Sequence, residues 1–117
     1  MDEFKWAVQN GDLAKVKQAC SQDNFNINAD LGSGRTALHC AADYGQTEIV
    51  KYLLSKGANV NALDKYGISP LLNAVFESHT DCVKVLLEKG ADKNQKAPGG
   101  ETAYEAAETE EIHNLLR

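Results

Sequence analysis

Apolar residues along the chain fall into two alternating kinds of segment. Short segments are built around small residues, as in Ala41-Ala42 and Ala74-Val75. Longer segments place branched apolar residues at the three- and four-residue spacing of an amphipathic helix, as in residues 49–54. The alternation predicts one set of helices, called inner, over residues 36–43 and 69–76, and a second set, called outer, over residues 47–55 and 80–88. It also predicts that six leucines are buried: Leu38, Leu53, Leu54, Leu71, Leu86 and Leu87.

The pattern is an internal repeat. The 28 residues that begin at Gly34 recur, without a gap, in those that begin at Gly67, and twelve positions are identical. The same offset of 33 residues reaches Gly100, and an offset of 34 aligns residues 10–18 with residues 44–52. One helix pair cannot cover its own apolar faces, so the copies must stack. We therefore divide a single domain, residues 1–117, into four units at about 1–30, 31–63, 64–96 and 97–117.

Each unit carries residues that begin and end helices. A glycine permits the positive φ of a tight turn just before each inner helix, at Gly34, Gly67 and Gly100. A hydroxyl two residues later can cap the helix, at Thr36, Ser69 and Thr102. Pro70 suits a first helical position. Gly57 and Gly90 are placed to end the outer helices.

The period of 33 and the tetrapeptide Thr36-Ala37-Leu38-His39 make the sequence similar to the ankyrin-repeat family. The resemblance implies an all-α fold, a solenoid of four stacked helix-turn-helix units with β-turn loops. It also implies a module that binds other proteins.

A closer resemblance rests on residues outside the general repeat pattern. The stretches WAVQNGDLAKVK at Trp6 and PLLNAVFESH at Pro70 resemble a family of small four-repeat ankyrin proteins, although Asp23 to Asn26 depart from that family. Its members bind heterodimeric actin-capping protein and inhibit capping of filament ends, and they have been linked to Rel-type transcription factors. The resemblance implies a cytoplasmic protein that also enters the nucleus. It leaves a general adaptor, for a transcription factor or another intracellular protein, as the alternative.

Charge and cysteine content narrow the partners. Seventeen acidic and twelve basic side chains give a net charge of -5, which argues against nucleic acid and anionic membranes and favours a basic protein partner. Three cysteines in a chain without a signal-like start indicate a reducing intracellular compartment. We expect a monomer that is not an enzyme.

Candidate chemical groups are sparse. The three cysteines and three histidines lack the close pairs of a metal site, so we expect no metal, no cofactor and no catalytic residue. Cys20 and Cys82 align with Leu54 and Ile49, which predicts small buried hydrophobes. His39 is predicted to hydrogen-bond the backbone at a turn. His79 and His113 are predicted to lie at the surface or at helix ends.

The candidate binding residues follow the small residues of each inner helix. These positions hold Gln9-Asn10, Asp43-Tyr44 and Phe76-Glu77, where aromatic rings and carboxylates stand side by side. The family resemblance places them on a concave face with the turn tips, and aromatic residues are enriched in binding hot spots. Packing between repeats is the alternative role for Tyr44 and Phe76. The full set is Trp6, Gln9, Asn10, Ser33, Arg35, Asp43, Tyr44, Tyr66, Phe76 and Glu77.

Overall fold

The computed structural model describes residues 2–117, with side chains from residue 3 onward. This part of the chain forms helices and turns, and none of its residues is in a β-strand. The helices are α1 (Asp2–Asn10), α2 (Leu13–Cys20), α3 (Ala37–Asp43), α4 (Thr47–Ser55), α5 (Pro70–Phe76), α6 (Thr80–Glu88), α7 (Ala103–Ala106) and α8 (Glu110–Leu116).

The helices form two layers. The inner helices α1, α3, α5 and α7 stack side by side, and the outer helices α2, α4, α6 and α8 form the second layer against them. Each inner helix also packs on the outer helix that follows it. The resulting body measures 40 × 25 × 21 Å. The expected stacked helical solenoid is therefore confirmed.

Helix boundaries agree with the sequence prediction to one residue. The outer helices α4 and α6 cover the predicted residues, and α3 and α5 begin one residue later than predicted. The difference arises because Thr36 and Ser69 are caps with extended backbone, whose side chains accept hydrogen bonds from the backbone of His39 and Leu72. Pro70 occupies the first helical position of α5, where no backbone donor is needed.

The core prediction was right for four leucines and wrong for two. Leu38, Leu53, Leu71 and Leu86 are at most 1% exposed, whereas Leu54 and Leu87 are only partly buried. The buried stripe of α4 holds Ile49, Val50 and Leu53, which face the inner layer. Leu54 lies at the edge of that stripe, in an open groove beside Val85 on the outer surface. Leu87 is its counterpart one repeat later.

Cys82 and Cys20 differ in burial for the same geometric reason. Cys82 is fully buried in α6, as its alignment with Ile49 predicts. Cys20 is only partly buried, because its position in the repeat is that of Leu54. The prediction that Cys20 is buried was therefore wrong for the reason that applies to Leu54.

Polar side chains connect successive units at the repeat period. The Asn28 side chain accepts a hydrogen bond from the Asn59 backbone at 2.8 Å, and the Asn61 side chain accepts one from the Asp92 backbone at 2.8 Å.

A second set of contacts lies at the starts of the outer helices. At the start of α4, the Gln46 side chain donates to the Gln9 carbonyl at 2.8 Å, and at the start of α6 the His79 ring contacts the Asp43 carbonyl at 3.0 Å. His79 thus lies at a helix end, as predicted. These bonds fix one unit on the next.

His39 is buried and bridges two units through a defined tautomer. The backbone N–H of Thr36 donates to His39 Nδ1 at 3.1 Å, so Nδ1 carries no proton. Nε2 is therefore protonated and donates to the Ile68 carbonyl at 2.8 Å. The predicted hydrogen bonding of His39 to backbone is confirmed. Burial, the largest cause, lowers the pKa of His39 below its ordinary value.

We expect this neutral histidine to make stability depend on pH. The folded pKa is depressed and the unfolded pKa is about 6.5, so the unfolded chain binds the proton more readily. The contribution of His39 is complete above the unfolded pKa and is lost as the pH falls from there towards the folded pKa. Urea unfolding between about pH 7.5 and about pH 5.5 should show this loss, and His39→Gln should reduce it. His113→Gln is the control. Equal pH slopes for wild type and His39→Gln would contradict this assignment.

Candidate protein-binding surface

The inner surface is the side of the inner helices that faces away from the outer layer, together with the turns that precede them. Four of the candidate residues lie where α3 and α5 end, in adjacent repeats. Asp43 is the last residue of α3 and Tyr44 is its C-cap. Phe76 is the last residue of α5 and Glu77 is its C-cap. Because α3 and α5 pack directly on each other, these four candidate residues come from neighbouring helix ends.

The two aromatic residues of these four differ in exposure. Tyr44 is 50% exposed, like Trp6. Phe76 is half-buried and packs against the core cluster. The Tyr44 ring is thus accessible from solvent, and Phe76 combines a packing role with a partly accessible ring.

The two carboxylates lie at the helix ends that least favour them. The C-terminus of a helix carries partial negative charge, so an acidic side chain there opposes helix stability by a few tenths of a kcal/mol. Glu77 is exposed at the C-terminus of α5, and no described cation lies within ion-pair distance of it. Local helix stability and ion pairing within the described chain therefore do not explain Glu77, and its carboxylate is open to solvent.

Asp43 has a partner within the chain. Its Oδ2 lies 3.3 Å from Nη2 of Arg35, a residue of the turn that precedes α3. Both side chains are about one-third exposed, at 32% for Arg35 and 28% for Asp43. In the second repeat, the positive charge of Arg35 therefore offsets the negative charge of the Asp43 carboxylate.

Buried polar atoms without hydrogen bonds concentrate on the same surface. In the described part of the chain these side-chain atoms are Nε and Nη2 of Arg35 and Oδ1 of Asn73; Nη2 lies 3.3 Å from Asp43 Oδ2 as an ion-pair contact, but without the geometry of a hydrogen bond. Unpaired buried donors and acceptors oppose folding, so each calls for an explanation. Asn73 was not among the sequence candidates. It lies one turn before Phe76 and Glu77 on α5, at the position of Cys40 in α3. The sequence did contain a signal for Asn73, because a polar amide there stands among the apolar residues of an inner helix.

The turns before the inner helices form the edge of the surface. Tyr66 is 57% exposed and Leu63 is 48% exposed, so the third turn presents two apolar side chains. The buried Asp64 carboxylate fixes this turn by accepting from the backbone of Tyr66 at 2.8 Å and Ile68 at 3.0 Å. Tyr66 is one of the sequence candidates, and exposed Leu63, whose counterparts in other repeats are polar, was not among them.

Adjacent turns are tied together at Ser33. The Lys65 backbone donates to the Ser33 carbonyl at 2.9 Å. Gly34, with φ of +76°, faces this contact closely, and a Cβ there would lie 2.9 Å from the Lys65 nitrogen. The predicted need for glycine at this turn is thus confirmed on two grounds. Ser33 itself is exposed beside Tyr66 at the edge of the surface.

The remaining candidates lie in the first repeat. Trp6 is 50% exposed on α1, with the Lys15 ammonium 5.3 Å from its ring centroid. Asn10 is exposed, and its amide donates to the Trp6 carbonyl at 2.9 Å. Gln9 is half-buried, and its carbonyl is occupied by Gln46. The first repeat therefore presents one exposed aromatic ring and one amide.

The described side chains offer little reactive chemistry. Within residues 3–117 no group of three or more His, Cys, Asp or Glu side chains is placed to hold a metal ion. Burial raises the pKa of the Cys40 and Cys82 thiols, which keeps them protonated and weakly nucleophilic. No described helix has the length and apolar character needed to cross a membrane. The inner surface, with its exposed aromatic rings, is therefore the candidate binding surface.

Comparison with known proteins identifies the family. A family model described as ankyrin repeats in three copies matches residues 4–97. This chain belongs to the ankyrin-repeat family. Myotrophin of Xenopus tropicalis is 50% identical to this ankyrin-repeat protein over 114 residues, which cover 97% of the chain and 96% of myotrophin. The chain is therefore a myotrophin-like ankyrin protein, and the family expected from the sequence is confirmed.

Other relatives share only part of this ankyrin-repeat chain. Palmitoyltransferase AKR1 of Naumovozyma castellii is 40% identical over 62 residues, which are 53% of this chain and 8% of that protein. M-phase phosphoprotein 8 of Homo sapiens is 39% identical over 69 residues, which are 58% of this chain and 8% of that protein. In both proteins the similar segment is a small part of a much longer chain. Similarity that extends along both chains is the distinctive feature of the match to myotrophin.

Proposed function

We propose that this protein binds heterodimeric actin-capping protein and inhibits its capping of filament barbed ends. The observation that carries the proposal is the full-length similarity to myotrophin, at 50% identity over 97% of the chain. The small four-repeat ankyrin family that the sequence resembles acts on capping protein in this way. A protein of this kind promotes filament growth in the cytoplasm, and it also enters the nucleus.

The mechanism is occlusion. The inner surface covers the part of capping protein that holds the filament end, so bound capping protein cannot engage actin. Occlusion needs one inhibitor for each capping protein and no chemical turnover, which agrees with a binding protein that is neither an enzyme nor dependent on a cofactor. A basic surface on capping protein complements the exposed carboxylate of Glu77.

The contact has to extend beyond the centre of the inner surface. A stable interface buries about 800 Å² on each partner, which is a substantial share of the 6210 Å² accessible on this chain. Tyr44, Phe76 and Glu77 are too few to supply that area. The turn residues Ser33 and Tyr66 and the first-repeat residues Trp6, Gln9 and Asn10 extend the surface on either side.

A direct test uses purified components. The protein is immobilised and incubated with purified capping protein, and both subunits should be retained. In a barbed-end elongation assay with capping protein present, the protein should restore filament growth, with full effect near one inhibitor per capping protein. Raising the salt concentration should weaken inhibition, because exposed charges are screened over about 8–10 Å.

The alternative function is a general adaptor for a transcription factor or another intracellular protein. Failure to retain capping protein at low salt would overturn the proposed inhibition and leave this alternative. Retention without any effect on elongation would contradict occlusion, because it would show that the bound surface does not overlap the actin-binding surface.

A further inference from the structure

The carboxylates at the inner-helix ends of the second and third repeats, Asp43 and Glu77, differ in whether a cation of the chain lies beside them. Arg35 occupies the position that Ile68 has in the third repeat, so of these two repeats the second has a cation beside the end of its inner helix. Asp43 pairs with that cation at 3.3 Å, and exposed Glu77 has no described counterpart. One carboxylate of the surface is therefore masked and the other is open.

The masking contact is loose. A strong arginine–carboxylate pair is bidentate, with two parallel N–H donors directed at the two oxygens. Here one nitrogen, Nη2, approaches one oxygen of Asp43, and neither Nε nor Nη2 makes a hydrogen bond. Nε and Nη2 are also buried, so while Arg35 holds Asp43 these donors are kept from water without a hydrogen bond, which offsets part of the attraction between the two charges. A cation from outside the chain can therefore exchange with Arg35 at small cost.

We propose that Arg35 is an intramolecular competitor that holds Asp43 until a lysine or arginine side chain of the basic partner displaces it. The proposal rests on the proposed function, in which the partner surface is basic. On exchange, the partner cation pairs with Asp43, and the Arg35 guanidinium turns outward, where its unpaired donors gain hydrogen bonds to water. Arg35 thereby sets how much acidic charge the second repeat offers.

Because Arg35 competes with the partner, replacing it should strengthen binding, whereas replacing a residue that contacts the partner should weaken binding. Arg35→Gln removes the competitor and should tighten binding of purified capping protein, by roughly 2- to 5-fold at low salt. The salt dependence of binding should also become steeper, because one more carboxylate is open. Folding should be retained, since the side chain is one-third exposed and leaves no buried partner unpaired.

A matched control separates competition from net charge. Lys65→Gln also removes one positive charge from a turn of the inner surface, but Lys65 lies over the Tyr66 ring and has no ion pair with Asp43. The effect of Arg35→Gln should disappear in the Asp43→Asn background, and any effect of Lys65→Gln should persist there. Weaker binding by Arg35→Gln, or a gain that persists with Asp43→Asn, would overturn the proposal.

A second measurement does not depend on capping protein. Decalysine is titrated into the isotope-labelled protein, and backbone amide shifts are followed by NMR. In the wild type the shifts should concentrate near Glu77, and in Arg35→Gln they should extend to Asp43 and Tyr44. Equal shifts at Asp43 in both proteins would refute competition by Arg35, even if capping protein proved not to be the partner. Failure of the wild type to bind capping protein, with the decalysine result intact, would reject only the proposed function.

Discussion

Replacing Leu53 by alanine is expected to destabilise the protein by about 2–5 kcal/mol. Leu53 is fully buried in α4, in the stripe that packs against the inner layer. Removing its three outer carbons loses their transfer free energy and leaves a cavity that the rigid helix layers cannot close. Domains of this size have about 5–15 kcal/mol of stability in total, so the change should lower the melting temperature by on the order of 10 °C.

Leu54→Ala is the matched control for this prediction. The two leucines are adjacent on one helix, and both variants make the same chemical change. Leu54 is only partly buried, beside Val85 in an open outer groove, so water or small movements can fill the space. Urea unfolding followed by circular dichroism measures both. A loss for Leu54→Ala as large as that for Leu53→Ala would contradict the assignment of the core stripe.

The sequence predicted the helices well because each boundary has a local cause. Thr36 and Ser69 cap the inner helices, and the glycine before each allows a turn with positive φ. These causes act over two to four residues and recur at the repeat period, so a second copy checks the first. Stacking of the units then follows, because a single helix pair leaves apolar surface exposed.

Burial within an apolar pair was harder to predict. Leu53 and Leu54 both match the helical spacing, and they differ by only about 100° around the axis of α4. Which of them faces the inner layer depends on how α4 rotates against α3 and α6. That rotation is a property of tertiary packing and has no local signal. Because Leu87 is the counterpart of Leu54 one repeat later, the wrong prediction that Leu54 is buried was repeated at Leu87.

The inner surface shows a second limit of sequence reasoning. Asp43 and Arg35 were both candidates for contact with a partner, and their eight-residue separation gave no sign of an ion pair. Long arginine side chains reach several positions, so the pairing depends on rotamers and neighbours. The unpaired Oδ1 of Asn73 also becomes visible only when its surroundings are known. The sequence could therefore supply candidate binding residues, and the structure was needed to show which of their charges are open.

Reversal of the charge at Glu77 should have the largest effect on binding. Glu77→Lys is expected to weaken the complex with capping protein by about 2–5 kcal/mol, because it replaces attraction to a basic surface with repulsion at the centre of the contact. The change should not harm folding, since a cation is favoured over an anion at the C-terminus of α5. Adding Asp43→Lys should weaken binding further but by less than Glu77→Lys alone, because the Asp43 carboxylate is already paired with Arg35.

Glu88→Lys is the control for net charge, because Glu88 is exposed on the outer helix α6, away from the inner surface. Both variants change the net charge equally, so long-range steering should shift their association rates similarly. Only Glu77→Lys should also raise the dissociation rate, because only Glu77 loses a direct contact. In the elongation assay, wild type and Glu88→Lys should release filaments from capping, whereas Glu77→Lys and the double variant with Asp43→Lys should not. If folded Glu77→Lys inhibits capping as well as Glu88→Lys does, the ends of α3 and α5 are not the centre of the binding surface.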